Sequence, residues 1–332
     1  MLNMRASRFA LALLAGSGLA ALLGGSAALS QSSGLQNTLP QTCTNLRFGS
    51  VPDFRWQGEG GGYNPFTPQA YTQEGHLEVR STVGTCSFFV TFAAGSSGNF
   101  GTRTMTLGAS QLPYNIHDSV TRSNVLKDLQ TANENEILTG VIPVDNPGTE
   151  SLDLSYYVHM TPGLIRQAGD YTDTVTMTLY RGTLTNYTQM ATRNVRYRAL
   201  IPKVAEASVV SSGGVFDANA TQYNVDFGIL QEGDRDRLDV LVRTNAGYKL
   251  ELLSQNLGKL RLIGGAGGTV PYTLTVGGQV VNLSSKVTIA ERSGVTQSGG
   301  DRFPMQIEIG TMADAVPGNY RDDITVIVRT TD

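Results

Sequence analysis

Gly169-Asp170-Tyr171-Thr172-Asp173-Thr174-Val175-Thr176 reads as an alternating strand, and a near copy lies close to the end of the sequence as Gly318-Asn319-Tyr320-Arg321-Asp322-Asp323-Ile324-Thr325. The octets agree at six positions when Asp/Asn and Val/Ile are counted as equivalent. Phe48-Gly49 has a counterpart in Phe227-Gly228, and Tyr114-Asn115-Ile116 in Tyr272-Thr273-Leu274, in the same order but at different spacing. Three ordered matches describe two related units rather than a coincidence. The junction is expected near Pro202, where Ile201-Pro202-Lys203 ends one strand-like run and Val204 begins another.

The rest of the sequence is consistent with an all-β chain. Strand signals recur at His76 to Val83, Ser87 to Ala93, Ser151 to His159, Thr172 to Tyr180 and Thr192 to Ile201. They continue at Asp239 to Thr244, Tyr248 to Leu253, Tyr272 to Val276, Met305 to Ile309 and Asp323 to Thr330. These runs collect β-branched and aromatic residues between Gly, Pro and Asn punctuation. Helical periodicity is weak, with Ser123 to Ala132 the best short helix. Many short strands with frequent turns predict two tandem β-sandwiches. The length of 332 residues suffices for two apolar cores.

Export and redox state follow from the first hundred residues. Arg5 and Arg8 precede an apolar stretch from Phe9 to Leu23, and Ala28-Leu29-Ser30 offers a small-residue cleavage site, so residues 1–30 read as a signal peptide. The apolar run is too short and too glycine-broken for a membrane span. In an oxidising compartment the two cysteines, Cys43 and Cys86, have one possible pairing. Closing that loop restricts the unfolded chain by roughly 4 kcal/mol on the entropy model.

The two units end differently. After its Gly-Asp-Tyr strand the first continues through Arg181 to Ala191 into Thr192 to Ile201, whereas the second stops at Asp332. With a shared topology, the C-terminal sandwich lacks its last strand, leaving an open groove and unpaired backbone groups. The alternative is a different closing topology with nothing missing.

Chemistry-bearing residues are sparse. Charged residues make up 16% of the chain, the net charge is −3, and there are only 3 histidines. That balance excludes the clustered basic face of a nucleic-acid partner. His76, His117 and His159 lack ligand spacing, so no metal and no cofactor are expected. Gly95-Ser96-Ser97-Gly98 is no nucleophile elbow, and Gly264-Gly265-Ala266-Gly267-Gly268 has no following helix for a phosphate. Asp170 with Asp173, and Asp322 with Asp323, read as caps at a strand entrance. The chain is not expected to be an enzyme.

Binding residues are sought instead in apolar loops. Three connections carry them: Ala94 to Thr102 with Phe100; Ser119 to Glu150 with Val141, Ile142 and Val144; and Arg181 to Ala191 with Leu184, Tyr187 and Met190. Exposed apolar patches mark interaction sites, and Val141 to Val144 suits a projecting finger, although a short buried strand has the same pattern. A second concentration holds Trp56, Tyr63 and Phe66 around Gly58 to Gly62. Its rings suit either sugar stacking or packing between the two units.

Cys43, Phe48-Gly49, Thr85-Cys86, Ala94-Gly95-Ser96, Arg103-Thr104-Met105, Tyr114-Asn115-Ile116 and Gly169 to Thr178 together resemble the spore coat protein U family. That resemblance covers most of Thr42 to Tyr180 and, more loosely, Phe227 to Thr330. It implies an immunoglobulin-like subunit of an archaic chaperone–usher pilus, completed by donor-strand complementation. Its partners would be a periplasmic chaperone, an outer-membrane usher and an adjacent pilin subunit. Residues 31–202 would form an adhesin domain and residues 203–332 a pilin domain. Gln31 to Thr42 is short and polar, with no alternating apolar run to donate. A subunit that accepts a strand but donates none sits at a fibre end, so the chain resembles a two-domain tip adhesin at the bacterial surface. Such an adhesin would hold an abiotic or host surface ligand and support biofilm formation. The alternative is a structural secreted or spore coat protein.

Overall fold

The computed structural model describes residues 2–7, 43, 45–58, 61–69, 71–82, 84–143, 148–265, 267–313 and 315–331. Of the segment read as a signal peptide, only Leu2–Ser7 lies among them, as strand β1. A first set of strands follows: β2 (Arg47–Phe48), β3 (Phe54–Trp56), β4 (Tyr71–Ser81), β5 (Cys86–Phe92) and β6 (Arg103–Leu107). It continues with β7 (Ser110–His117), β8 (Leu138–Ile142), β9 (Glu150–Met160), β10 (Gly169–Thr183) and β11 (Asn186–Ile201). The second set is β12 (Ala205–Ser211), β13 (Gln222–Val225), β14 (Arg235–Thr244), β15 (Tyr248–Ser254) and β16 (Lys259–Leu262). It ends with β17 (Thr269–Val276), β18 (Gln279–Val281), β19 (Val287–Arg292), β20 (Asp301–Ile309) and β21 (Tyr320–Thr330).

The two sheets have one topology. The first runs β2-β4-β9-β7-β6-β10-β11-β3, with β5 joining β10 to β8. The second runs β12-β14-β20-β17-β16-β21-β1-β13, with β15 joining β21 to β19. Place by place the paths correspond, and β1 occupies the position that β11 holds in the first. Each path curls around its own core, giving two immunoglobulin-like sandwiches. The second sheet adds β18 beside β17, and the sense of the closing strand differs. Strand β11 is antiparallel to β10 and parallel to β3, whereas β1 is parallel to β21 and antiparallel to β13. Among the described residues, no strand of the second set pairs with the outer edge of β21.

Alternation explains the closing position. Val195, Tyr197, Ala199 and Ile201 on β11 are buried, with exposed residues between them. They stand opposite Val175, Asp173, Tyr171 and Gly169 on β10. On β21 the inward residues are Tyr320, Asp322, Ile324 and Val326. Burying each aliphatic side chain contributes about 1.5–3 kcal/mol, so a sandwich without its closing strand forfeits several such terms.

The repeated octet owes its pattern to two anchors. Asp173 is buried and accepts hydrogen bonds from Tyr114 Oη at 2.7 Å and the Ser96 amide at 2.9 Å. Asp322 accepts from Tyr272 Oη at 2.6 Å, Ser254 Oγ at 2.6 Å and the Asn256 amide at 2.9 Å. The repeated Tyr114 and Tyr272 are therefore the donors to the repeated aspartates. Burial beside the carboxylate pushes both phenols far above their ordinary range. The octet tyrosines also match: Tyr171 Oη donates to the Gln167 carbonyl and Tyr320 Oη to the Val316 carbonyl, each four residues upstream. Gly169 and Gly318 adopt φ of +143° and +151°, with Leu107 and Leu262 against their Cα atoms, where a Cβ would collide.

Other expectations need correction. Ser123 to Ala132 is not a helix; it is turns and extended backbone, bridged to His117 at Val125 and fixed by Arg103 bonding the Leu126 carbonyl. Phe48-Gly49 and Phe227-Gly228 are not structural counterparts. Phe48 lies in β2, whereas Phe227 follows β13 at the opposite end of the strand path. The Cys43–Cys86 disulfide forms and ties the chain before β2 to β5.

Asp322→Ala leaves four donors without their carboxylate, since the Asp323 amide also bonds it. It should destabilise the second sandwich by about 3 kcal/mol, and Tyr272→Phe by about 1.5 kcal/mol, in urea unfolding. Equal stability of Asp322→Ala and wild type would show that the anchor does not hold the strand.

Candidate binding surface

Consecutive aromatics in a strand must face opposite ways, and Phe88-Phe89 on β5 does so. Phe88 enters the first core. Phe89 faces outward and stacks on Tyr180, its cross-strand neighbour on β10, with ring centroids 4.9 Å apart at 13°. Tyr187 stands edge-on to both, at 5.5 Å from Tyr180 and 6.2 Å from Phe89. Leu129, Ala132, Ile137 and Leu184 pack around this trio. Tyr187 remains 47% exposed, so the patch has a buried base and an open aromatic rim. A groove of about 390 Å³ adjoins it, lined by Asp128, Gln130, Thr178, Tyr180, Tyr187 and Gln189.

Two of the loop residues thus meet here, Leu184 and Tyr187. Val141 lies on the same outer face, opposite Ser87 on β5, and is 53% exposed. Phe100 lies elsewhere, over the Arg103 guanidinium at 5.1 Å beside a groove of about 510 Å³ lined by Asn124, Lys127, Thr131 and Glu136. The Lys127–Gln130 segment separates the two grooves. Val144 lies outside the described residues.

The remaining residues do not form an exposed site. Ile142 is buried at 1% because Leu138–Ile142 is a strand, β8, paired with β5, and not a projecting finger. Its partner is Cys86, so the side chain enters the core beside the disulfide. Arg181 to Ala191 is also not a long loop: β10 and β11 leave only Leu184-Thr185 between them. A bulge between Leu179 and Tyr180 leaves Met190 without an opposing residue, and Met190 packs against the first core. Trp56 and Tyr63 are buried, at 2% and 4% exposure. Tyr63 Oη donates to the Thr161 carbonyl and accepts from the Leu164 amide, holding two loops together. Between Trp56, Tyr63 and Tyr71 remains a cavity of about 60 Å³. Phe66 packs between the units: the Arg243 guanidinium sits 4.5 Å from its ring and 4.4 Å from that of Phe216.

The sequence signal for the missed residues was available. Phe89 and Tyr180 are strand residues whose outward direction follows from the register of their buried neighbours. The histidines, read as separate, partly converge: His117 and His159 lie on paired strands with ring centroids 6.4 Å apart, and Arg122 Nη1 reaches His159. Burial pushes both imidazoles below their ordinary value; His159 adds to this for His117, and Arg122 for both. Among the described residues, no group of three or more His, Cys, Asp or Glu could hold a metal ion.

Residues 26–178 match the family model of the Spore Coat Protein U domain. The matched stretch is similar to that family. The matched stretch contains the disulfide, the first acid anchor and Phe89 of the aromatic patch. Among solved structures, the chain is similar to the chaperone–tip adhesion subunit pre-assembly complex of archaic chaperone–usher Csu pili of Acinetobacter baumannii. That likeness has 10% identity, 85% of this chain and 100% of that one covered, and a TM-score of 0.44. A tip adhesin from Pseudomonas aeruginosa shares 11% identity over 87% and 98% of the two chains, with a TM-score of 0.34. The adhesive subunit of the CFA/I fimbria of enterotoxigenic Escherichia coli shares 10% over 86% and 87%, with a TM-score of 0.29. No curated protein matches the sequence.

Two outcomes follow for the first sandwich. Ile142→Asp should destabilise it by more than about 3 kcal/mol in urea unfolding, because the carboxylate would be buried unpaired. Tyr187→Ser should leave stability within about 0.5 kcal/mol. The histidine pair gives a pH signature. A folded pKa below the unfolded value of about 6.5 means that protonation favours the unfolded chain. Stability is constant above that value and falls as pH drops below it towards the folded pKa. The unfolding temperature should therefore decline between pH 7.5 and 5.5, and His159→Gln should flatten that decline; an unchanged slope would remove the pair from the account.

Proposed function

We propose that the chain is the tip adhesin subunit of an archaic chaperone–usher pilus, with residues 31–202 as adhesin domain and residues 203–332 as pilin domain. The observation that carries this reading is the shared strand path. The closing position is filled in the first sandwich by its own β11 and in the second by Leu2–Ser7, from the segment that reads as an export signal. Export that removes Met1 to Ser30 opens the edge of β21, leaving backbone groups unpaired and Ile324 and Val326 uncovered. Strand addition from another chain cures both defects, because backbone hydrogen bonds hold the strand and alternate side chains fill the groove. A periplasmic chaperone would supply that strand first, and an adjacent pilin subunit afterwards at the usher. The match of residues 26–178 to the Spore Coat Protein U domain supports the same assembly route.

The first sandwich closes itself and is free to bind. Its surface for attachment and biofilm formation is the rim of Tyr187, Leu184 and Val141, whose apolar and aromatic character suits an abiotic or host surface. Phe100 is a second, separate contact point.

The shared register supplies the test. Tyr320 aligns with Tyr171, so Asp332 aligns with Thr183, and a copy of residues 184–201 appended after Asp332 would continue the hairpin as in the first sandwich. Residues 31–332 carrying this extension should unfold at least about 10 °C above residues 31–332 alone. A second version with Tyr197→Leu in the appended copy covers a poor fit opposite Asp322. Identical unfolding of all three proteins would defeat the strand-acceptor reading. For attachment, Tyr187→Ser with Val141→Ser should reduce adhesion of piliated cells to polystyrene by several-fold at equal piliation, and undiminished adhesion would move the site to Phe100.

A further inference from the structure

The end of the second sandwich where β21 begins carries an exposed apolar groove of about 620 Å³ between two loops, residues 226–234 after β13 and residues 310–319 before β21. Phe227, Leu230, Met312 and Tyr320 line it. At its lip stand Ile229 at 88% exposure, Ile263 at 59% and Val316 at 45%. Large apolar side chains this open, gathered around one groove, mark a contact face and not a scatter of surface residues.

The matched topology identifies what covers such a face. In the first sandwich the corresponding loops follow β3 and precede β10. Tyr63 closes the space between them. The second sandwich then covers that end: Phe66 packs on Arg243, and the Ala168 amide donates to the Asn245 carbonyl. Asn245 also grips the connection itself, accepting from the Val204 amide and donating to the Pro202 carbonyl. Among the described residues, the second sandwich has the same end without the plug and without the cover.

Chain direction supplies the occupant. Strand β11 leaves the first sandwich at Ile201, opposite Gly169, and within four residues the chain enters β12. A strand added to β21 in the same antiparallel sense leaves opposite Gly318, which borders the groove. The folded body that follows such a strand therefore emerges against Ile229 and Ile263.

We propose that this groove docks the body of the subunit that donates the closing strand, so that each donor makes two contacts: its strand along β21 and its sandwich against the Ile229–Ile263 end. The inference rests on the strand-acceptor reading and adds a second, separable surface. Ile229 and Ile263 are exposed enough for Ile229→Asp and Ile263→Asp to leave the fold intact.

The double variant Ile229→Asp/Ile263→Asp, made in the producing cells in place of wild type, tests it, with Val280→Asp as an exposed control elsewhere on the sandwich. The fraction of the chain recovered in fibres sheared from the cell surface should fall at least ten-fold for the double variant and stay at the wild-type level for the control. Its periplasmic amount, and its stabilisation by the appended copy of residues 184–201, should equal those of wild type. Equal recovery in fibres would overturn the docking face. A loss already in the periplasm would also overturn it, assigning the groove to the carrier that precedes the donor. Wild-type chain absent from fibres would sink the strand-acceptor reading itself, a result distinct from either.

Discussion

A β-strand buried on one face must satisfy its backbone on both edges, and the outer edge of β21 sets the terms for the rest of this molecule. Both sandwiches build the same path of strands, and both depend on a neighbour at the same place. In the first, the neighbour is the next segment of chain, reached through a two-residue connection. In the second it comes from far away in sequence, so closure is decoupled from the folding of the strands around it. A closed unit and a conditional unit are thus made from one plan. In the proposed assembly the conditional unit responds to association, because the hydrogen bonds and apolar burial that complete it are intermolecular.

The two acid anchors explain how a strand so dependent on a neighbour keeps its place. Asp173 and Asp322 are buried and accept hydrogen bonds from tyrosine hydroxyls and loop amides. Each anchor fixes the beginning of the last strand against the loop that follows β5 or β15. The corner bonds of Tyr171 and Tyr320 fix the backbone just before it. These contacts lie within each sandwich and do not require the closing strand. The second unit therefore keeps β21 in register by contacts of its own, which would lower the ordering cost of the proposed strand addition.

Much of this was legible in the sequence, because the decisive features are periodic. The octet and its alternation gave the class and the duplication. The tyrosine repeat was visible, but its bond to the aspartate was not, since strand path and not spacing brings them together. Phe48-Gly49 and Phe227-Gly228 matched by composition and occupy different places. The binding residues were read less well for a physical reason. Gly140-Val141-Ile142-Pro143 has one pattern whether it projects or pairs, and only the β5 partner distinguishes the two. The bulge at Tyr180 reverses the direction of Met190, an effect that simple alternation misses. Trp56 and Tyr63 were aromatic enough to bind sugar, but hydrogen bonding and burial assign them to the core.

The continuity of β11 with the three-residue connection at Pro202 has a mechanical consequence. In the proposed fibre, a pull transmitted into the first sandwich enters at Ile201, at the end of a strand hydrogen-bonded along its length to β10 and, near its exit, to β3. The load runs parallel to that strand and perpendicular to its hydrogen bonds. Such bonds are sheared together, not peeled one after another, so the strand must slide as a whole before any part of it is freed. The same alignment holds for a strand added along β21. A tether built this way has its tensile strength in the line of pull, while detachment by unzipping from one end requires a force from the side.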